Sequence, residues 1–90
     1  MKVLGYILER VAAGKVHMTL VDPDKQRPAD AGELAGTAAR AGTDAIMVGG
    51  STGATPDRTD ATVQAVKARV DLPVILFPAG AASLSRHADA

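Results

Sequence analysis

The length, composition and charge of the chain exclude several classes of protein. It has 90 residues, 47% of them hydrophobic, and its ten basic and ten acidic side chains give a formal net charge of zero. This composition excludes an intrinsically disordered chain, and the balanced charge argues against nucleic acid as a partner. The chain has no cysteine, which excludes disulfides and thiolate metal sites. We expect a folded, cytoplasmic protein.

The first half of the chain predicts a helix, a strand and a second helix. Residues 3–13 place apolar side chains at helical spacing, and Gly14 follows as a helix stop. Residues 16–21 form a short apolar run that predicts a strand. The alanine-rich residues 29–41 predict the second helix, with Leu34 and neighbouring alanines able to face a core.

The second half repeats the alternation of strand and helix. Residues 45–48 predict a strand, and residues 57–70 predict a helix with Asp57 near its start. Residues 73–77 predict a third strand, and residues 81–86 predict one more helical turn. Strands alternating with helices indicate a parallel sheet with right-handed crossovers. The continuous apolar runs indicate strands that are buried on both faces.

Polar or flexible residues follow each predicted strand. Residues 22–25 follow the first strand, residues 49–53 the second and residues 77–80 the third. In parallel α/β folds these strand ends share one edge of the sheet, where ligands bind. Three strands are too few for a (β/α)8 barrel, which takes about 250 residues. We therefore expect residues 1–90 to form a single partial domain, the N-terminal part of a TIM-like barrel with its first three βα units.

Four motifs carry a resemblance to a known family. They are HMTLVDPDK at residues 17–25, AGTDAIMVGGSTG at residues 41–53, LPVILFP at residues 72–78 and the terminal ADA. Together they resemble the geranylgeranylglyceryl phosphate synthase family of prenyltransferases. The resemblance implies a Mg2+-dependent TIM-like barrel enzyme. It would transfer a prenyl group from prenyl diphosphate to the hydroxyl of sn-glycerol 1-phosphate, which gives an ether lipid precursor.

The resemblance also implies roles for individual residues. Asp22 matches the family's aspartate that binds Mg2+, and Ser51 matches its second metal position. Leu20 stands where some members carry a lysine that binds glycerol phosphate, so the chain resembles the branch that lacks this lysine. One carboxylate, one hydroxyl and a diphosphate suit Mg2+, which takes oxygen ligands and is usually shared with substrate phosphates.

Four further residues are candidates for substrate binding. Gly49 and Gly50 lack side chains, so that their backbone N–H groups can approach a phosphate closely. Asp24 is either an acid that supports the site or a solvated turn residue. Lys25 is either a contact of the diphosphate or a surface lysine.

Each main candidate also has a purely structural interpretation. Asp22 can act as a turn former before proline, and Ser51 as a cap of the following loop. His17 and Asp44 precede strands, on the edge of the sheet that serves stability, and we predict structural roles for both.

Two alternatives to the main functional prediction stay open. One is a related prenyltransferase with another phosphorylated three-carbon acceptor, such as phosphoglycerate. The other is a non-catalytic, truncated α/β piece. A homo-oligomer, and a peripheral membrane contact through the lipid product, also stay open.

Overall fold

The computed structural model describes residues 2–49, 55–78, 80 and 84–90. The elements follow in the order α1 (Val3–Ala13), β1 (Met18–Val21), α2 (Pro28–Arg40), β2 (Ala45–Val48), α3 (Pro56–Lys67) and β3 (Val74–Leu76). The predicted alternation of helices and strands is confirmed. The first and third strands are shorter than predicted, and the third helix begins before Asp57 because Thr55 caps it and Pro56 occupies its first turn.

The three strands form one parallel sheet in the order β1-β2-β3. Val21 lies beside Val48, which lies beside Leu76. The carboxyl ends of all three strands therefore lie side by side at one edge, which we call the carboxyl edge. The first described residues after the strands, Asp22, Gly49 and Phe77, lie at this edge, as the sequence predicts.

Helices α2 and α3 cover one face of the sheet. The core consists of small and β-branched side chains, namely Val21, Ala31, Ala35, Ile46, Val48, Val63, Val66 and Val74. The opposite face is more open: Leu20 is 55% exposed, and Met47 and Ile75 are only half-buried. Both of these helices lie on the same side of the sheet, so within the described residues only this face is covered, and burial of the strands on both faces stays a prediction.

Helix α2 packs through its smallest residues. It buries Ala31, Ala35 and two glycines, whereas Leu34 is 44% exposed, so the prediction that Leu34 faces the core is wrong. A Cβ atom built on Gly32 would lie 2.9 Å from the carbonyl oxygen of Ala65 in α3. The two helix backbones approach so closely that the contact face has no room for a leucine.

Helix α1 is attached at the opposite edge, where the strands begin. The Tyr6 hydroxyl donates to the backbone carbonyl of Asp44 at 2.7 Å, and Arg10 forms a 2.9 Å ion pair with the Asp44 carboxylate. The His17 ring lies 2.9 Å from the Thr43 hydroxyl, in hydrogen-bonding distance. These contacts agree with the structural roles predicted for His17 and Asp44.

The end of the chain runs beside β3. Asp89 N–H donates to the Val74 carbonyl at 2.8 Å, and Leu76 N–H donates to the Ala90 carbonyl at 2.7 Å. Of the helical turn predicted at residues 81–86, residues 81–83 lie outside the described residues, and residues 84–86 are not helical. No helix in the described part of the chain is long and apolar enough to cross a membrane.

Candidate functional site at the carboxyl edge

Two backbone hydrogen bonds bring the strand ends together. Gly49 N–H donates to the Val21 carbonyl at 3.0 Å, and Phe77 N–H donates to the Val48 carbonyl at 2.9 Å. The ladder therefore continues one residue beyond β2 and β3. As a result, the turn that begins at Asp22 lies beside Gly49 at the carboxyl edge.

Asp22 opens a tight turn after β1. Its Oδ1 accepts the N–H of Asp24 at 2.9 Å, and its carbonyl oxygen accepts the N–H of Lys25 at 3.1 Å. The Gln26 side-chain amide donates to the same carbonyl. The turn-forming interpretation of Asp22 is thus confirmed. Within the described residues, the second carboxylate oxygen, Oδ2, has no hydrogen-bond partner, so turn formation leaves one oxygen for a ligand.

Gly49 is required by packing. A Cβ atom at this position would lie 1.9 Å from the carbonyl oxygen of Phe77, so that only glycine allows β3 to approach. The Gly49 N–H already donates to the Val21 carbonyl, and the predicted approach of a phosphate to the Gly49 backbone stays a prediction. Gly50 and Ser51 lie outside the described residues, and their predicted roles stay predictions.

Asp24 and Lys25 are exposed at the same edge. Asp24 lies 3.6 Å from the Nε atom of Arg58, measured to its Oδ1. Arg58 also donates from Nε to the Pro23 carbonyl at 2.6 Å. Arg58 was not among the residues predicted for the site. The Thr55–Pro56 pair was the available signal, because it starts α3 early enough to place Arg58 in the first turn.

The donors at this edge fit one mode of Mg2+ binding. The described residues hold no group of three or more histidine, cysteine, aspartate or glutamate side chains that could bind a metal by themselves. Mg2+ is commonly held by one or two carboxylates together with substrate phosphates and water. The half-buried Asp22 carboxylate, with one oxygen fixed by the turn, fits as one such ligand.

The opposite edge carries two carboxylates with lowered pKa values. The N–H of His17 lowers the pKa of Asp44; burial opposes this shift, and Arg10 reinforces it. Burial raises the pKa of Asp89, but the hydrogen bonds from Lys67 and from the Val74 N–H outweigh it, so that the pKa is lowered overall. Both side chains are therefore held ionised at the edge where the strands begin, which is opposite the edge that carries Asp22.

Two surface cavities lie along the outer side of α2. One has a volume of about 310 Å³ and the other about 520 Å³. Both are lined by Thr19, Ala38 and Ala41, next to the unpaired side of β1. Neither contains a residue of the carboxyl edge, and we do not assign the predicted site to them.

Comparison with known proteins identifies the family of the chain. A sequence profile of the PcrB family matches residues 8–90. The geranylgeranylglyceryl phosphate synthase of Aeropyrum pernix is 56% identical over 89 residues, which are 99% of this chain and 35% of that protein. The synthase of Methanothermobacter marburgensis is 47% identical over 90 residues, which are 100% of this chain and 36% of that protein. The chain spans about a third of the length of these relatives.

Solved structures of related proteins identify the fold. The wild-type enzyme GGGPS from Thermoplasma volcanium superposes with a TM-score of 0.94 at 44% identity, over 100% of this chain and 36% of that one. The (S)-3-O-geranylgeranylglyceryl phosphate synthase of Thermoplasma acidophilum, solved with its substrate sn-glycerol-1-phosphate, superposes with a TM-score of 0.92 at 46% identity, with the same coverage. The predicted fold, the N-terminal portion of a TIM-like barrel, is confirmed. The chain belongs to the PcrB family, whose geranylgeranylglyceryl phosphate synthases it matches along nearly its whole length.

Proposed function

We propose that the protein carrying this chain is a Mg2+-dependent prenyltransferase that uses prenyl diphosphate and sn-glycerol 1-phosphate. The observation that carries the proposal is the turn at Asp22. It presents a carboxylate oxygen at the carboxyl edge of a parallel sheet, in a chain 56% identical to a geranylgeranylglyceryl phosphate synthase. In barrels of this kind, the carboxyl edge is where the chemistry takes place.

Several residues of the carboxyl edge would each contribute to binding the diphosphate. Asp22 would hold Mg2+ through Oδ2, with Ser51 as a second ligand. When bound, the ion would neutralise and orient the diphosphate leaving group. Lys25 lies three residues further along the chain, and an exposed ammonium group there adds positive charge for the same diphosphate. Gly50 supplies a backbone that a phosphate can approach closely.

The apolar side chains on the face of the sheet away from α2 and α3 suit the prenyl chain. Leu20, Met47 and Ile75 lie side by side on this face, and Phe77 follows at the carboxyl edge with 63% of its surface exposed. A hydrocarbon chain lying across these side chains would remove apolar surface from water on both partners. The bond from the prenyl carbon to the diphosphate would then break beside Asp22, while the acceptor hydroxyl oxygen forms the new bond to carbon and its proton is released to water.

The test is a transfer assay with matched acceptors. The native gene product is incubated with Mg2+, labelled geranylgeranyl diphosphate, and either sn-glycerol 1-phosphate, sn-glycerol 3-phosphate or 3-phosphoglycerate. We expect labelled prenyl ether with sn-glycerol 1-phosphate and much less with the other two. A preference for phosphoglycerate would establish the related prenyltransferase instead. Transfer to none of them would contradict the proposal and favour the non-catalytic alternative.

Three further expectations about the whole protein stay predictions. They are the cytoplasmic location, a homo-oligomer and a peripheral membrane contact through the lipid product. Helix α1 carries an exposed apolar stripe at Leu4, Leu8 and Val11, which is a feature to follow if the protein sediments with vesicles. Size-exclusion chromatography with light scattering measures the oligomeric state directly.

A further inference from the structure

We propose that Arg58 is a positioning residue, which holds the Asp22 carboxylate in the orientation that it needs to bind the metal. This inference rests on the proposed function, because it assigns a role within the same site. It concerns a residue on α3, the helix that follows β2, whereas Asp22 follows β1. Arg58 would therefore couple two successive βα units at the carboxyl edge.

The coupling passes through a single peptide group. The Pro23 carbonyl and the Asp24 N–H belong to the same planar unit. Its carbonyl oxygen accepts a hydrogen bond from Arg58 Nε at 2.6 Å, and its N–H donates to Asp22 Oδ1 at 2.9 Å. Rotation of this peptide plane would break both bonds together. Arg58 thus fixes the plane, and the plane fixes one oxygen of Asp22.

Arg58 is itself held firmly enough to act as an anchor. Its backbone N–H donates to the Thr55 hydroxyl at 3.2 Å, the capping bond of α3. Pro56 restricts the backbone of the first helical turn. The Arg58 guanidinium, 45% exposed at the side chain, is therefore carried on a rigid helix start rather than on a free loop.

The charges at the edge favour this role as well. Asp22 and Asp24 place two carboxylates within one tight turn, and like charges so close repel each other. Arg58 Nε lies 3.6 Å from Asp24 Oδ1, so its positive charge offsets part of this repulsion. Both contacts are made by Arg58 Nε, whose N–H donates to the Pro23 carbonyl while the positive charge lies close to the Asp24 carboxylate.

A direct contact between Arg58 and the diphosphate is the competing explanation. The Nε atom, however, already donates to Pro23 and faces Asp24. The N–H of Nε is therefore used by the turn and is not available to a diphosphate. The two explanations differ in what they predict: positioning lowers metal affinity, whereas direct contact raises the KM for the prenyl diphosphate at saturating metal.

The experiment compares metal binding by variants of the native gene product. Mn2+ serves as the probe in place of Mg2+, first without and then with inorganic pyrophosphate, and free Mn2+ is measured by electron paramagnetic resonance against protein-free samples of the same composition. We expect Arg58→Gln to weaken Mn2+ binding by about 10- to 100-fold, the usual effect of losing a residue that orients a metal ligand. Arg58→Lys, which keeps one donor for the Pro23 carbonyl, should recover part of this loss.

The control is Arg27→Gln. Arg27 is also paired with an aspartate, Asp30, but its side chain is 80% exposed and it makes no bond to the Asp22 turn. We expect Arg27→Gln to bind Mn2+ like the wild type. Thermal melts establish whether each variant folds. If Arg58→Gln does not fold, Arg58→Met, which keeps most of the side-chain stem, replaces it.

The outcomes separate this inference from the proposed function. Unchanged Mn2+ affinity in Arg58→Gln or Arg58→Met would overturn the positioning role, as would a higher KM for prenyl diphosphate with unchanged Mn2+ affinity. Neither result would contradict the proposed function. If the wild type and Asp22→Ala bound Mn2+ equally, the metal site itself would be wrong, and the role of Arg58 with it.

Discussion

Asp44 and Asp89 make the same pair of hydrogen bonds to the strand segment that precedes each of them. Asp44 N–H donates to the His17 carbonyl at 2.8 Å, and Asp44 Oδ2 accepts the His17 N–H at 2.9 Å. Asp89 N–H donates to the Val74 carbonyl at 2.8 Å, and Asp89 Oδ2 accepts the Val74 N–H at 2.9 Å. Each aspartate is thus bound to both backbone groups, the N–H and the carbonyl, of one residue at the start of the adjacent strand segment.

This relationship predicts how stability depends on pH. Each aspartate also has a cationic partner, Arg10 for Asp44 at 2.9 Å and Lys67 for Asp89 at 2.8 Å. Both pKa values are lower in the folded state than the unfolded value of about 3.9. The stabilisation is therefore fully present above about pH 5 and is lost as the pH falls through the folded pKa. We expect the melting temperature to drop steeply below about pH 4.

Asp44→Asn isolates this effect. The amide oxygen can still accept the His17 N–H, but the charge that faces Arg10 is gone. We expect the variant to be less stable than the wild type at pH 7, with a gap in melting temperature that narrows toward pH 3. Asp71→Asn, at an exposed position, serves as the control. A gap that stays constant from pH 7 to pH 3 would show that the Asp44 charge does not contribute.

Gly49 and Gly5 give a second prediction. Gly49→Ala would place a Cβ atom 1.9 Å from the Phe77 carbonyl oxygen, whereas a Cβ atom on Gly5 would meet nothing within 4 Å. We expect Gly49→Ala to cost about 3 kcal/mol or more, because the contact is with backbone and β2 and β3 must separate. Gly5→Ala should stabilise α1 by about 0.5–1 kcal/mol. Urea unfolding of both variants measures the difference, and equal stability would contradict the close approach.

Gly32 and Gly36 give a matched pair within one helix. A Cβ atom on Gly32 would lie 2.9 Å from the Ala65 carbonyl oxygen, but on Gly36 its nearest contact is the flexible end of Arg40 at 3.5 Å. We expect Gly32→Ala to destabilise by about 1–3 kcal/mol through displacement of α3. Gly36→Ala should be neutral or stabilising by up to about 1 kcal/mol. The reverse order in chemical denaturation would mean that α2 and α3 are not packed as described.

The cap of α3 gives a fourth prediction. Because the Thr55 hydroxyl accepts the Arg58 N–H, Thr55→Ala should cost about 1 kcal/mol of stability. Thr37→Ala, at an exposed position inside α2, should cost little because alanine favours helix. If the two substitutions had equal effects on the urea midpoint, the Thr55 bond would not be a stabilising cap.

Much of the fold was predictable because its signals are local. The run from Ala45 to Val48 is apolar and ends in glycine, and it is the second strand as predicted. Val63 and Val66 lie at helical spacing and are fully buried. Leu34 was predicted wrongly, because its exposure follows from how closely α2 approaches α3. That distance depends on Gly32 and Ala65, which lie in different helices. It therefore cannot be predicted from the periodicity of one helix.

The candidate site was predictable at Asp22 for a similar reason. A carboxylate directly after a buried strand lies at the carboxyl edge in any parallel sheet. Arg58 was missed because its contacts are with Pro23 and Asp24, more than 30 residues earlier in the chain. The hydrogen bond from Gly49 N–H to the Val21 carbonyl could not be predicted from the sequence either, since it requires the sheet ladder to extend beyond the strand. Contacts between successive βα units are visible only once the units are packed.

The measurement that tests the central claim most directly is prenyl transfer by Asp22→Ala beside the wild type. Both are prepared as the native gene product and assayed with Mg2+, labelled geranylgeranyl diphosphate and sn-glycerol 1-phosphate, with Asp71→Ala as the control for removing an exposed carboxylate elsewhere. We expect Asp22→Ala to lose at least about 100-fold in activity, as loss of a metal ligand would cause, while Asp71→Ala matches the wild type. Near-normal transfer by a folded Asp22→Ala would contradict the assignment of the Mg2+ site to the carboxyl edge at Asp22.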